Sequence, residues 1–479
     1  MTEPSRTIVI YGGGFAGHLV AAACARSLGA AARLILIAPD QTRREDVLYG
    51  NASAPTAYDF FRSVGLDEPT LMMQTGSAFS YGTQFTHWPG APSSWMQAYH
   101  LPLPVLFGVP FQHFLTAKKE KLEPYLVSAQ AALRGVFAHP PEEPKNPLSR
   151  AEYGYQFSIS DLTHALVRLN DQREVTIIET GVRDVHTSGG QIASLVLEDG
   201  QQVEADLFVD CSGADRRLIR ALDVAFQVER TLCATHEIQL AGQLGPPHRT
   251  IAATQHGWSA STPLQTSVET LTITHPDSAS AERGASHTFE TGTLERAWAG
   301  NCVAVGHAAW GIEPLTAAPM ILVQRDVERL LDLIPLSRDN TVEAREYNRR
   351  FEDDLAHANA FQRALFATDA LPSTPYWQAA AAVPPGEKLE RKLAQFRSRG
   401  IFVRFDLEPF NEEDWAILHN GMGLMPERYD RQVDGVEAEA LGRQLTGIKQ
   451  AVAQIVSKMP PHHVYMSNMK RYLEKQKHG

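Results

Sequence analysis

Cysteine is scarce in this chain of 479 residues, which contains only four. The four cysteines lie far apart in apolar stretches, at Cys24, Cys211, Cys233 and Cys302. No CxxC pair and no cluster of cysteine and histidine has the spacing of a zinc site, so we expect no bound metal. Buried, reduced thiols of a cytoplasmic protein are the expected state of all four residues.

Long apolar runs, a leader segment and excess basic charge are also missing. No run of about 18 apolar residues occurs, which excludes a membrane-spanning helix. The first residues show no basic segment followed by an apolar one, so we expect no cleavable signal peptide. The formal net charge of −11 disfavours nucleic acid and anionic membranes as partners, because such surfaces require clustered Lys and Arg. We therefore expect a cytoplasmic protein that acts on a small molecule, and its acidic surface allows a homodimer.

A strand–turn–helix–strand unit begins near residue 6. The β-branched run at 6–11 is typical of a buried parallel strand, and 33–40 predicts a second one. Between them GGGFAG places Gly12, Gly14 and Gly17 in a GxGxxG motif that follows a strand and opens a helix. The three glycines suit a tight turn, a close approach to a pyrophosphate and close helix–strand packing, respectively. This context predicts a bound dinucleotide.

The remaining parts of the predicted dinucleotide site are less regular. Phe15 and Ala16 open the helix, whose N-terminal N–H groups would face the phosphates. Ala38 stands where an acid usually binds the ribose; Asp40 is either its substitute or part of a surface turn. Strand–turn–helix units near 205–219 and 300–331 return to the first unit, as flavin monooxygenases arrange them, and no second GxGxxG is present. We therefore predict FAD without a nicotinamide domain, reduced to FADH2 by a separate reductase.

Local patterns give a coarse secondary structure for the rest of the chain. The predicted elements are one buried strand over 78–90, helices over 158–171 and 320–334, two successive hairpins over 175–213 with turns at 188–190 and 199–200, and mainly helices beyond 340.

With these motifs the chain resembles the flavin-dependent tryptophan halogenase family. The stretches that carry the resemblance follow the family's order and are GGGFAG (12–17), YGNASAPT (49–56), FSYGTQFTHW (79–88), GYQFSIS (154–160), IASLVLEDGQQVEADLFVDCSG (192–213), GWSASTPL (257–264), GNCVAVGHAAWGIEPLTAAPMILVQRDVERLL (300–331), EYNRRFEDDL (346–355) and GMGLMPERYD (421–430). The resemblance implies an α/β, FAD-binding Rossmann-like fold of the GR2 type, with FAD segments at about 1–60, 155–220 and 295–335. It also implies a composite FAD- and substrate-binding domain over 1–340 with a β-rich substrate portion. A mainly helical region over 341–479 would cover the substrate pocket.

Family positions that carry the chemistry differ in this chain. In the family, FADH2 and oxygen form a C4a-hydroperoxide, a halide attacks it, and hypohalous acid travels to a lysine beside the aromatic substrate. By the resemblance, Gln84 stands in place of that lysine and Thr316 in place of an assisting glutamate. The second tryptophan of the W-x-W-x-I-P signature is Ala260, and the halide-associated Thr-Gly pair reads Ala318–Pro319. The chain is thus identified as a divergent member that lacks the halogenating Lys and Glu.

The candidate site residues follow from the same comparison of motifs. Gln84 either orients a polar substrate or satisfies buried backbone groups, and His87 is either a boundary histidine or a general base. Residues 95–115 are predicted to line the substrate pocket, and those that could form an aromatic slot are Trp95, Tyr99, His100, Phe107 and Phe111. Beyond the glycine turn, the residues that the resemblance places at FAD are Ala54, Val182, Gly213, His307, Ala318, Pro319 and Met320.

Three functions remain open at this point. The first is an FADH2-dependent oxygenase that transfers oxygen from the C4a-hydroperoxide to an aromatic or heteroatom-containing molecule without lysine-dependent halogenation. The second is a halogenase in which hypohalous acid diffuses to an activated phenol, indole or pyrrole. The third is a non-catalytic flavin-binding relative, because altered residues at both catalytic positions are also what a decayed site would have.

Overall fold

The computed structural model describes residues 6–39, 44–173, 175–278, 286–335 and 339–478. The strands, in chain order, are β1 Thr7–Tyr11, β2 Arg33–Ile37, β3 Ala78–Ser80, β4 Gly82–Thr86, β5 Trp95–Ala98, β6 Val105–Leu106, β7 Val109–Pro110, β8 Gly154–Gln156, β9 Val175–Ile178, β10 Val182–Ser188, β11 Gln191–Leu197, β12 Gln202–Val203, β13 Leu207–Asp210, β14 Phe226–Leu240, β15 Arg249–Thr254, β16 Gly257–Pro263, β17 Ser267–Thr274, β18 Ser286–Leu294, β19 Trp298–Ala299, β20 Cys302–Ala304 and β21 Trp310–Gly311.

Helices dominate the second half of the chain. They are α1 Phe15–Leu28, α2 Ala57–Val64, α3 Glu68–Gln74, α4 Phe111–Lys118, α5 Val127–Leu133, α6 Ile159–Asp171, α7 Ala318–Asp332, α8 Thr341–Arg363, α9 Pro375–Ala382, α10 Glu387–Arg399, α11 Glu412–Gly421, α12 Ala438–Val456 and α13 His462–His478. Over 339–478 the described chain has helices and no strand, which confirms the helical C-terminal region.

A six-stranded sheet in the order β19-β20-β13-β1-β2-β9 forms the nucleotide-binding part of the fold. Strands β20, β13, β1, β2 and β9 run parallel, and only the short β19 pairs antiparallel. β1 is buried from its second residue onward because helices cover both faces of such a sheet. The predicted unit β1–α1–β2 and the Rossmann-like fold class are confirmed.

A second sheet of eight strands, in the order β21-β18-β14-β17-β16-β15-β4-β5, carries the substrate side. Its pairs are antiparallel except β15 with β4. The single strand predicted over 78–90 is wrong, because it is two strands: β3 pairs with β8, whereas β4 joins the large sheet. The chain switches sheets at Gly82, whose φ is +136° and where a Cβ would overlap the carbonyl of Gln97.

The region 175–213 also differs from its prediction. β9 joins the edge of the parallel sheet next to β2 instead of forming a hairpin. β10, β11 and β12 form a separate three-stranded antiparallel sheet. Its first turn contains Gly189 and Gly190 at positive φ and its second contains Gly200, so both predicted turns are confirmed. The alternating pattern indicated strands but could not tell which sheet each one would join.

Within the described ranges no helix is both long and apolar enough to cross a membrane. The same ranges contain no group of three or more His, Cys, Asp or Glu side chains able to hold a metal ion. All four cysteines are buried and unpaired by disulfides, as predicted.

Candidate functional site

The glycine turn between β1 and α1 has the geometry of a phosphate-binding turn. Gly12 has a φ of +142°, and a Cβ there would overlap the carbonyl of Cys211 at the end of the neighbouring strand. A Cβ on Gly17 would overlap the carbonyl oxygen of Gly12, so α1 can approach β1 only without a side chain. α1 starts at Phe15 after Gly14, which is extended and provides no side-chain cap. The first amides of α1 are therefore available to an anion.

Two further strand ends meet this turn. Asp210, which ends β13, accepts backbone N–H groups from Ser212, at 2.9 Å, and Leu218, at 2.8 Å, and so braces the turn that holds Gly213. His307 follows β20. The carboxyl ends of β1, β13 and β20 thus lie side by side, where open α/β sheets bind ligands.

The other predicted cofactor residues are spread more widely. Ala318, Pro319 and Met320 form the first turn of α7, and Val182 begins β10. Ala54 lines a large cavity described below. Asp40 lies outside the described residues. The structure describes all of the predicted FAD residues except Asp40, and their assignment to FAD stays a prediction.

Residues 44–53, here called the 44–53 segment, occupy the cleft in front of the glycine turn. The backbone N–H of Phe15, the first of α1, donates to Oδ2 of Asp46 at 2.8 Å. The ring of Tyr49 stacks on His307 with 3.8 Å between centroids and meets the edge of Trp310 at 6.0 Å. The Tyr49 hydroxyl accepts the backbone N–H of His307 at 3.1 Å. The chain's own side chains therefore fill this cleft.

Two N–H donors beside the cleft bond to a carboxylate of the protein. Oδ2 of Asp326 accepts the Gly306 N–H at 3.0 Å and the Trp310 indole N–H at 2.8 Å. Burial lowers the pKa of His307 to about 3, so this imidazole is neutral and offers no cation to a phosphate. The glycine turn has the shape of a dinucleotide site. In the present structure, however, Asp46 and Tyr49 of the 44–53 segment fill the space that the dinucleotide would need.

A cavity of about 600 Å³ lies between the large sheet, the start of α7 and the helical region. β4 supplies Thr83 and Phe85 to its wall, and β5 supplies Gln97 and Ala98. The other residues that line it are Ala54, Pro55, Thr56, Tyr58, Asp59, Tyr99, Ala151, Glu152, Tyr153, Leu315, Thr316, Ala317, Ile321, Gln324, Arg325, Glu328, Phe361, Pro409, Phe410, Asn411 and Asp414. This volume is in the range of small-molecule sites. We call it the main cavity.

The main cavity is acidic. Four carboxylates line it, from Asp59, Glu152, Glu328 and Asp414, against one cation, Arg325. Arg325 already forms an ion pair with a carboxylate outside the wall, that of Asp354. Burial raises the pKa of Glu152 and of Glu328, which a positively charged ligand would reverse. No lysine lines the cavity within the described chain.

Thr316 lies in the wall of the main cavity but its hydroxyl is already used. It accepts the N–H of Ala318 at 3.1 Å, at the start of α7, and lies 3.3 Å from Oε1 of Gln362, to which it donates. A hydroxyl in these bonds is held at the start of α7 and cannot serve as the carboxylate base that a glutamate would provide.

Gln84 and His87 lie apart from the main cavity. Alternation along β4 gives Thr83 and Phe85 to the cavity wall, and Gln84 between them is not part of that wall. Gln84 is half-buried between its strand partners Met96 and Thr250. His87 follows the end of β4, is exposed and has a φ of +54°. Neither position gives geometric support to a catalytic role.

The aromatic slot predicted from residues 95–115 does not form. Tyr99 lines the main cavity, and Tyr99 and His100 line a smaller neighbouring one of about 180 Å³. Trp95 is stacked on Phe85 in the core, and Phe111 packs against Tyr125. Phe107 is 55% exposed in the turn between β6 and β7. The segment divides into strand β5, the hairpin of β6 and β7, and the first residues of α4, so its rings face different directions.

Two glutamines of the main cavity were not predicted from the sequence. Nε2 of Gln324 and Oε1 of Gln97 are buried without a hydrogen-bond partner within the described residues. The Nε2 of Gln97 donates to the carbonyl of Asp414 at 3.0 Å, which fixes the orientation of this amide. One donor and one acceptor are therefore left for a ligand. Position alone reveals them, since nothing in the sequence sets these two glutamines apart.

The loop that leads from β21 to α7 is held by two buried charges. Glu313 accepts hydrogen bonds from Arg230, from the Trp258 indole at 2.8 Å and from the Tyr376 hydroxyl at 2.6 Å. These three bonds give Glu313 a structural role.

The second buried charge is Arg249, which has no carboxylate partner in the described structure. It donates to the carbonyls of Pro314 at 3.0 Å and Leu315 at 2.8 Å. Burial lowers the pKa of Arg249 to about 10, so it stays protonated at neutral pH. The loop before Thr316 is thereby fixed against the large sheet.

Comparison with known proteins matches this architecture along the whole chain. The model of the tryptophan halogenase family matches residues 7–438. Tryptophan 7-halogenase KtzQ from Kutzneria sp. (strain 744) is 24% identical over 535 aligned positions, which cover 97% of this chain and 98% of the relative.

Solved structures of flavin-dependent halogenases are also similar. BrvH from Brevundimonas sp. BAL3 has a TM-score of 0.88 at 26% identity and covers 97% of this chain and 99% of its own. Xcc4156 from Xanthomonas campestris has a TM-score of 0.88 at 27% identity, with 97% and 98% covered. Flavin-dependent halogenases use FADH2 that a separate flavin reductase supplies. The described chain belongs to the tryptophan halogenase family.

Proposed function

We propose that this chain is an FADH2-dependent oxidoreductase that transfers oxygen to an aromatic compound with an aliphatic amino group, here called an aromatic amine, bound in the main cavity, without lysine-dependent halogenation. The observation that carries the proposal is the composition of the cavity wall, which combines aromatic rings with four carboxylates and contains no lysine in the described chain. Reduced FAD, delivered by a separate reductase, would supply the activated oxygen.

Lysine-dependent halogenation lacks its nucleophile in this cavity. A neutral or charged amine can take up or position hypohalous acid, whereas the guanidinium of Arg325 is always protonated and is not a nucleophile. Arg325 is also paired with Asp354. The Thr316 hydroxyl is bonded to the N–H of Ala318 and to Gln362. The cavity can bind and orient a substrate, but it offers no group that would carry a halogen to it.

The same wall can recognise an aromatic amine. Rings of Phe85, Tyr99 and Phe361 provide an apolar face for an aromatic group. Glu152 lies in the wall with its charge partly desolvated, so a substrate ammonium would gain an ion pair there. Oε1 of Gln97 can accept a further N–H from the substrate.

Product analysis tests this proposal. The protein is incubated with a flavin reductase, NADH, FAD, bromide and a panel of aromatic amines, and the products are separated by mass spectrometry. We expect products heavier by one oxygen atom and without the isotope pattern of bromine. A mixture that lacks only this protein provides the control for free peroxide. A brominated product that depends on the protein contradicts the proposal.

Replacing Glu152 with glutamine should weaken binding of an aromatic amine by about tenfold, since one ion pair in a partly desolvated wall contributes about 1.4 kcal/mol. Binding of a neutral aromatic alcohol of the same shape should not change. Equilibrium dialysis of both ligands measures this, with Glu143→Gln, an exposed neighbour, as the matched control. Equal losses for amine and alcohol would mean that Glu152 only maintains the fold of the wall.

The closed cleft favours a second candidate, a relative that binds its ligand without turnover. The observation is that Asp46 and Tyr49 fill the space before the glycine turn. This candidate predicts that the reductase-coupled mixture consumes oxygen at the same rate with and without the protein, whatever amine is present.

A further inference from the structure

We infer that the small cavity next to the main cavity holds a second apolar group of the substrate, so that the substrate is a secondary amine whose nitrogen links an aromatic group to a hydrocarbon group. The small cavity is the neighbouring space of about 180 Å³ that has Tyr99 and His100 in its wall. The inference rests on the proposed function, because it extends the aromatic amine proposed for the main cavity. Binding measures it separately from turnover.

The wall of the small cavity is mainly apolar. It contains four prolines and six larger apolar side chains, which are Leu101, Leu103, Leu126, Val127, Leu148 and Met459. Proline fixes the backbone φ, so the proline-containing stretches 101–104 and 139–141 form a rigid part of this wall. The polar side chains of the wall that form hydrogen bonds within the protein include Tyr81, Tyr125, Ser128 and His139. The small cavity therefore suits a hydrocarbon group rather than a polar one.

The volume of the small cavity sets the size of that group. An apolar cavity of about 150 Å³ holds one benzene ring. At about 180 Å³ the small cavity has room for a ring or a chain of about six carbon atoms. Binding there removes the surface of the hydrocarbon group from water, which favours the complex.

The two cavities share part of their walls, at Tyr99, Ala151 and Glu152. Tyr99 is fixed in this shared wall, because its hydroxyl donates to the carbonyl of Ser53 at 2.5 Å and its own carbonyl accepts the Ser128 hydroxyl. Burial raises the pKa of Glu152, so its carboxylate gains from a neighbouring ammonium group. An ammonium paired with Glu152 lies where the cavities meet, and its two substituents extend into different cavities. A primary amine would leave the small cavity empty.

The affinities of a series of amines test the inference. The probes are 2-phenylethylamines that carry an N-methyl, N-propyl, N-hexyl or N-decyl group, and equilibrium dialysis with the full chain measures each dissociation constant. We expect the affinity to rise by about threefold per CH2 group from methyl to hexyl, since burial favours each group and ordering of the chain offsets part of the gain. The decyl amine should bind no more tightly than the hexyl amine, because the cavity is then full.

Two results with the wild type would overturn the inference. One is equal affinity for the methyl, propyl and hexyl amines, which would show that no apolar cavity receives the chain. The other is an affinity that continues to rise as far as the decyl amine, which is the behaviour of adsorption on an exposed surface.

Substitutions that fill the small cavity provide a second test. Ala138 and Leu103 line the small cavity and do not belong to the described wall of the main cavity. Ala138→Phe should remove most of the difference between the hexyl and methyl affinities, and Leu103→Trp should do the same from another part of the wall. Ala453→Phe, at an exposed position of α12, is the matched control and should leave that difference unchanged.

A folded Ala138→Phe variant that keeps the full preference for the hexyl amine would overturn the inference. Tighter binding of the hexyl amine without any oxygenated product would support it and count against the proposed function alone.

Discussion

Replacing Glu313 with alanine is expected to lower the free energy of unfolding by about 3–5 kcal/mol. Glu313 is 2% exposed and is the described partner of the buried Arg230 guanidinium, whose Nε and Nη1 have no other hydrogen bond. Alanine would leave that cation without its counter-charge in the core. It would also leave the Trp258 and Tyr376 donors unsatisfied.

Chemical denaturation of the variant and the wild type measures this loss. Glu346→Ala on the surface of α8, which removes the partner of Arg349 and Arg350, is the matched control and should change stability far less. The double variant Arg230→Ala with Glu313→Ala should lose less than the two single variants together, because the second change removes the unpaired charge. A loss for Glu313→Ala no larger than that of Glu346→Ala would mean that the buried ion pair contributes nothing.

The dinucleotide half of the fold could be predicted because its signals are local. A buried β-branched strand, three glycines at fixed spacing and a helix require only neighbouring residues to be consistent. In the structure a Cβ at Gly12 or at Gly17 would overlap a backbone carbonyl, so both positions require the glycine that the motif provides.

The substrate side could not be predicted in the same way because it depends on pairing between distant strands. The face of β4 that lines the main cavity is set by β5 and β15, and a shift of one residue exchanges Gln84 with Thr83 or Phe85. The closed cleft depends on contacts between residues 46 and 15 and between 49 and 307. Sequence spacing alone gives no sign of such contacts.

Acidification from pH 7 to pH 4.5 is expected to unfold this protein. Burial lowers the pKa of His18, His248 and His462 to about 4, and that of His307 and His419 to about 3. In the unfolded chain a histidine takes up its proton near pH 6.5. The unfolded state therefore binds more protons than the folded state between pH 6.5 and these values, and stability falls as the pH falls.

The size of this effect is comparable to the stability of a folded domain. One buried histidine with a pKa near 4 loses about 3 kcal/mol of stabilisation across the window, so a few such side chains together approach the whole stability of a typical domain, about 5–15 kcal/mol. Burial also raises the pKa of Asp326 to about 6. That carboxyl, like those of Glu152 and Glu328, whose pKa burial also raises, binds its proton earlier in the folded state and offsets part of the loss as the pH falls.

His462 provides the sharpest test of this cause. Its Nδ1 lies 2.9 Å from the carbonyl of Gly245 and its Nε2 has no partner, so a second proton on the ring would be buried unpaired. Glutamine at position 462 cannot be protonated, so His462→Gln should reduce the fall in melting temperature between pH 7 and pH 5. The exposed His186, replaced in the same way, should leave that fall unchanged. A melting temperature of the wild type that stays constant over this range would show that these imidazoles gain protons as readily in the folded protein as in the unfolded chain.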